Sequence, residues 1–267
     1  MEPAAAIASR LLARPGEWPP ASPNARTAIE AFDNLLELLA DGSAAASAHG
    51  KAFAEAGGIR AVIAVLEETA KDISRRAKNL DTSKQNDVQM LMMLGDVQTM
   101  GCTLLSNLGA FAEGETAAIG EELKISKATV AVVNSLHLYP DNPEHIEAGL
   151  AALVQLLPID PKLFLMTGAH DVTINSMLAQ QAITWPLYLG ARALMRLTDF
   201  GDVPKEALRN AGAAAALRHA LNAPPGDRDC GGEWGVADVP AKLKLVATTA
   251  LEALGEQEAG PLTRNAA

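Results

Sequence analysis

Small residues followed by leucines four and seven positions later recur along this chain. Gly101, Leu105 and Leu108 stand so in VQTMGCTLLSNLGAF, and Gly149, Leu153 and Leu156 in EAGLAALVQLL. Gly190, Leu194 and Leu197 repeat the spacing in LGARALMRL, as do Ala247, Leu251 and Leu254 in VATTALEAL. An earlier copy is Ala31, Leu35 and Leu38 in AFDNLLELL. Offsets of zero, four and seven put three side chains on one face of a helix, so five long amphipathic helices are predicted. A glycine or alanine at the first position lets a crossing helix approach closely.

Between these helices lie shorter apolar segments, each introduced by a turn. EAGGIRAVIAVLEE (55–68) and RNAGAAAALRHALN (209–222) both read as a helix end, an Ala-Gly turn and a new helix. Glycine supplies the left-handed conformation that stops one helix and starts another. ISKATVAVVNSL (125–136) and HDVTINSMLAQQ (170–181) hold the same place in other copies, with Ser126 and Asp171 as candidate caps. The predicted unit is a short helix, a sharp turn, a medium helix and a long helix. Its anchors are separated by about 70, 48, 41 and 57 residues, and the shorter intervals match a helical repeat of roughly 40–47 residues. The excess sits in two polar or Gly/Pro-rich stretches, near 71–95 and 223–240, which read as surface insertions.

Composition agrees with an all-helical chain. Apolar residues make up 49% of the 267 and aromatics only 4%, so alanine and leucine, the strongest helix formers, must fill the core. The formal net charge of −10 argues against a generic nucleic-acid binder. Two cysteines, Cys102 and Cys230, make neither a disulfide framework nor a metal-ligand spacing. They suit the reduced thiols of a cytoplasmic or nuclear protein. Arg10 and Arg14 on an Ala/Leu background leave a mitochondrial presequence as an alternative. No apolar run reaches the length of a membrane span.

With AEAGGIRAVIAVL as a second helix and VQTMGCTLLSNLGAF as a third, the chain resembles the armadillo repeat family. HEAT repeats are the near alternative. The resemblance is good across 47–157 and fair across 185–257. It implies a right-handed armadillo/HEAT-type α-solenoid of about four repeats plus a partial first one. Residues 25–257 would form the repeat domain, between an N-terminal extension (1–24) and a C-terminal tail (258–267). Third helices would then line a concave groove that binds a protein or peptide. Importin-type members carry a Trp and an Asn per repeat in that groove. The Trp slots here hold Asp33, Thr103, Ala151, Arg192 and Thr249, and the Asn slots hold Glu37, Asn107, Gln155, Arg196 and Ala253. Only Asn107 matches, so a nuclear-import adaptor of the usual kind is not expected.

The groove residues expected to meet a partner are Thr103, Asn107, Gln155, Arg192 and Arg196. The two arginines lie one turn apart and could clamp a carboxylate or backbone carbonyls. Trp234, in the second insertion among Asp227, Asp229, Glu233 and Asp238, is a candidate docking anchor. Asp199-Phe200-Gly201 imitates a kinase magnesium motif, but no phosphate loop, strand lysine or catalytic aspartate accompanies it. Phe200 is expected to pack the exit of its helix and Gly201 to release the chain. His170-Asp171 imitates the metal pair of a helical phosphohydrolase, while His49, His137, His145 and His219 fall in other repeats. Cys102 reads as a small buried apolar residue, and Met90–Met93 as core or stacking surface.

The expected function is non-catalytic protein–protein interaction, with no metal and no cofactor. A co-chaperone embracing a folded domain is the alternative among binding proteins, and a metal-dependent hydrolase around His170-Asp171 the alternative among enzymes. Self-association or continuation of a larger array is compatible with the apolar Ala247–Leu254 helix.

Overall fold

A computed structural model describes residues 2–12, 23–79, 84–112, 116–180, 184–223 and 239–256. The chain is all-α, and the described residues form no strand. It divides into two compact units, Met1–Val172 and Thr173–Ala267, where the sequence suggests one continuous repeat domain.

Unit one opens with α1 (Ala4–Leu12) and α2 (Pro23–Leu39). A triplet follows: α3 (Ala44–Glu55), α4 (Gly58–Ala77) and α5 (Gln85–Ala112). The next triplet is α6 (Ala117–Ile125), α7 (Ala128–Leu138) and α8 (Pro143–Leu156), and α9 (Pro161–Met166) begins a third. The helices pack in rows: α1 on α4 on α7, α2 on α5 on α8, and α3 on α6. Within the stretch read as an N-terminal extension, Ile7 and Ala8 of α1 are fully buried. By its neighbours α1 stands in the row of α4 and α7, and α2 in the row of α5 and α8.

The unit boundary falls within α10 (Ala169–Ala179), and unit two continues with α11 (Thr184–Thr198), α12 (Asp202–Asn210), α13 (Ala213–Asn222) and α14 (Val239–Ala253). Here α11 packs on α14, α12 and α13 pack on α11, and α13 packs on α14.

One turn recurs four times. Gly57, Lys127, Gly168 and Gly212 all adopt positive φ, at 79°, 56°, 69° and 81°. In each case the backbone N–H donates to the carbonyl three residues back, at 2.9–3.1 Å. Ser126 therefore does not cap α7. It closes α6, its hydroxyl donating to Glu122 Oε1, and Lys127 takes the left-handed position that glycine holds elsewhere. Asp171 likewise sits in the first turn of α10 after Gly168, where a carboxylate favours the helix dipole without capping it.

The zero-four-seven positions are the core. Every leucine in the five copies is at most 8% exposed, and the small anchors are buried. A Cβ on Gly101 would stand 2.5 Å from Leu66, and one on Gly149 would stand 2.5 Å from Leu136. In unit two Gly190 meets Met177 in the same way. Leu66, Leu136 and Met177 each lie nine positions after a left-handed turn residue. Turn, second helix and crossing therefore form a single register.

Other expectations fail. The segment read as the first insertion is largely helical, since residues 71–77 extend α4 and 85–95 begin α5. Met92 is 66% exposed on that extension, so this methionine is not core. Phe200 is 44% exposed, because the chain turns away at Gly201 (φ 104°) before the ring can fold back. Residues 224–238, including Trp234 and the acidic residues near it, lie outside the described residues.

Gly149→Ala should lower stability by about 1–3 kcal/mol, because a methyl there must displace Leu136. Urea unfolding followed by circular dichroism would show the loss, and adding Leu136→Val should restore part of it. Lys127→Gly should raise the same midpoint slightly, as glycine adopts the left-handed turn without the side-chain penalty.

Candidate functional site

Two surfaces of unit one carry polar side chains on well-packed helices. The first is the row of third helices. On α5, Thr103 and Asn107 stand one turn apart and half-buried, and the Thr103 hydroxyl donates to Thr99 O at 3.1 Å. On the adjoining α8, Gln155 is also half-buried, and its Cβ packs over Gly109 of α5. Asp33 and Glu37 hold the equivalent positions on α2 and are exposed. In unit two, Arg192 and Arg196 lie half-buried one turn apart on α11. Thr103, Asn107 and Gln155 thus share neighbouring helices of one unit, while the two arginines belong to the other.

Behind the α5 face runs a buried polar network that joins four helices. Gln98 donates to Leu66 O at 2.7 Å and to Thr69 Oγ1, and its Oε1 accepts from Ser135 Oγ at 2.6 Å. His145 is fully buried, with Nε2 3.0 Å from Ser135 O and Nδ1 3.1 Å from Thr99 Oγ1. A carbonyl can only accept, so Nε2 carries the proton, and Nδ1 of the neutral ring accepts from Thr99. Burial lowers the His145 pKa, opposed by its hydrogen bond to the Ser135 carbonyl. The Tyr139 ring meets His145 edge-on at 5.2 Å, filling the space that Gly95 leaves open. Burial, with the Asp96 charge nearby, pushes the tyrosine up to about 12. Cys102 is fully buried beside Ser135, and burial pushes its thiol up to about 12, so it stays protonated.

The second surface is a cleft of about 670 Å3 between α4 and α7, with Gln98 of α5 at its floor. Leu66, Ala70, Ala131 and Leu138 supply its apolar lining, and Lys71, Arg75 and Lys78 stand along its α4 side. The sequence signal for it is the spacing of those three cations at zero, four and seven, the same helical periodicity that marks the leucines.

His170 Nε2 lies 3.6 Å from Asp171 Oδ2. The other described histidines are engaged elsewhere or apart from it, His145 in the network and His219 with its Nε2 2.8 Å from Gln180 O. Among the described residues no group of three or more His, Cys, Asp or Glu side chains could hold a metal ion. No helix among them is long and apolar enough to cross a membrane.

No family model matches the chain, and no curated protein matches it. A solved crystal structure described as an engineered protein of the Northeast Structural Genomics Consortium is similar in fold. Its TM-score is 0.52 at 16% identity, over 96% of this chain and 97% of that one. At that identity the likeness concerns the fold alone.

Because the folded-state pKa of His145 lies below its unfolded value of about 6.5, the unfolded chain takes up the proton first. Stability should therefore be full above about pH 6.5 and fall towards the lowered value, by at most about 1.4 kcal/mol per pH unit. Urea unfolding between about pH 7 and 5 should show this slope, and His145→Gln should flatten it. Alkylation by iodoacetamide, mapped by mass spectrometry to the peptide containing Cys102, should be negligible in the folded protein and complete in urea.

Proposed function

We propose that the chain is an armadillo-type helical solenoid of about four repeats plus a partial first one, acting as a non-catalytic protein-interaction module. The observation that carries this reading is the recurring turn and crossing. A left-handed residue, a second helix and a glycine-crossed third helix return in register along the chain. Such an array repeats a similar patch of half-exposed side chains at each step, which suits a long partner segment better than a compact substrate. The third-helix face is the proposed binding surface. In unit one Thr103, Asn107 and Gln155 would hydrogen-bond an extended segment, and in unit two Arg192 and Arg196 would engage a partner's carboxylates or carbonyls.

Affinity capture from native extract tests this reading. Wild type is compared with Asn107→Ala/Arg192→Glu/Arg196→Glu, shown by circular dichroism to keep its helix content. Partners captured by wild type and lost by the variant are the expected result. Equal capture by both removes the third-helix face as the binding surface.

A further inference from the structure

The cleft on α4 and α7 has a chemistry of its own. Helix α4 runs from Gly58 to Ala77, whereas the second helices α7, α10 and α13 end after ten or eleven residues. Its added turns carry Lys71, Arg75 and Lys78 past the end of the Leu66 crossing and along the cleft. All three are exposed, Lys71 by 69% and Arg75 by 60%. Over residues 67–78 the cations Lys71, Arg75, Arg76 and Lys78 outnumber the carboxylates Glu67, Glu68 and Asp72, on a chain whose net charge is −10.

Those carboxylates leave charge over. Asp72 is shared by Arg75 and Arg76, two guanidiniums on one carboxylate. Lys71 pairs with Glu68 at 2.6 Å, an exposed contact that water and salt weaken. An arriving carboxylate competes with exposed Glu68 for Lys71, while Asp72, its side chain 15% exposed, stays with its two guanidiniums. At the floor, Gln98 and Ser135 spend their donors and acceptors on Thr69, Leu66 and each other. Glu67 also lines the cleft, one carboxylate against the three cations. Exposed Asn134 on the α7 side is an amide able to pair with a peptide group.

The spacing selects the ligand. Seven helical positions place Lys71 and Lys78 roughly 10 Å apart along the α4 axis. A single phosphate is too small to span that row. Lys71 and Arg75 stand about 6 Å apart along the axis, and Arg75 and Lys78 about 4.5 Å. Alternate side chains of an extended peptide repeat every ~6.6 Å, a difference that the long Lys and Arg side chains can close to meet carboxylates at every second residue. Among the described residues no aromatic side chain lines the cleft to stack a nucleobase.

We propose that the α4–α7 cleft of unit one binds an extended acidic segment of a partner protein, with alternate carboxylates on Lys71, Arg75 and Lys78 and the backbone on Asn134. This surface is separate from the third-helix face.

Fluorescence anisotropy at low ionic strength tests the proposal. The probe is a short fluorescein-labelled peptide of alternating glutamate and alanine, and the control is the same peptide with glutamine for glutamate. Wild type should bind the glutamate peptide, more weakly as salt rises, and ignore the glutamine peptide. Lys71→Ala/Arg75→Ala/Lys78→Ala should weaken binding by about tenfold or more. Asn134→Trp, which narrows the cleft without changing charge, should also weaken it. Arg192→Glu/Arg196→Glu should leave it unchanged, which separates this site from the third-helix face. The proposal is overturned by no binding to wild type, by equal binding of both peptides, or by full affinity in the triple variant. Displacement by tripolyphosphate together with an inert Asn134→Trp would also overturn it, assigning the cations to a free polyanion.

Discussion

The closest approach between second and third helices sets the rest of this structure. At Gly101, Gly149 and Gly190 a side chain from the preceding helix occupies the volume that a Cβ would take. Once Leu66, Leu136 or Met177 is seated there, the rotation of both helices about their axes is fixed. The leucines four and seven positions beyond each glycine must then point inward, and the residues two and six positions beyond it are left half-exposed. Interiors packed to near-crystal density leave no room for a second arrangement. A half-exposed residue such as Asn107 or Gln155 owes its place to a glycine six positions earlier. The left-handed turn acts at the other end of the same register, since it starts the second helix nine positions before the plugging side chain.

This dependence explains what could be read from the sequence. The zero-four-seven pattern marks the crossing helices because the glycine and leucines are the contacts themselves. Turns written Ala-Gly were equally plain. Where the same backbone conformation is held by Lys127, nothing in local chemistry announces it, and the neighbouring Ser126 looked like the better candidate for a cap. Phe200 misled in another way, since a large apolar residue three positions past Leu197 resembles Phe111 in spacing. Gly201 redirects the chain and leaves the ring exposed at 44%. Polar composition marked residues 71–95 as a surface insertion without showing that the sequence there continues in helical period, with cations on one side.

Among the candidate site residues, Thr103, Asn107 and Gln155 were legible because their positions follow from the crossing glycines. The cleft was not, because it depends on which helices stack. At its floor lie Gln98 and Ser135, members of a network that continues to His145 and is assembled from α4, α5, α7 and α8. Gln98, Ser135 and His145 are separated by tens of residues or sit on different helices, so no local pattern joins them. Such a network adds direction to an interface that leucines alone would leave sliding. Each donor has one acceptor at the right depth, and a shift of one turn would strand buried polar groups at a cost of about 1–3 kcal/mol each.

The network also constrains what the cleft can do. Since its hydrogen bonds are already satisfied, the floor contributes shape, and recognition falls to the exposed row above it. Exposed cations on a long helix steer a partner and sense ionic strength, but they hold it only when several act together. The extension of α4 supplies that multiplicity, placing three cations where a second helix of ten or eleven residues would place none. The lengthening of one helix thus changes the chemistry of the face while the crossing at Gly101 keeps the register of the packed rows.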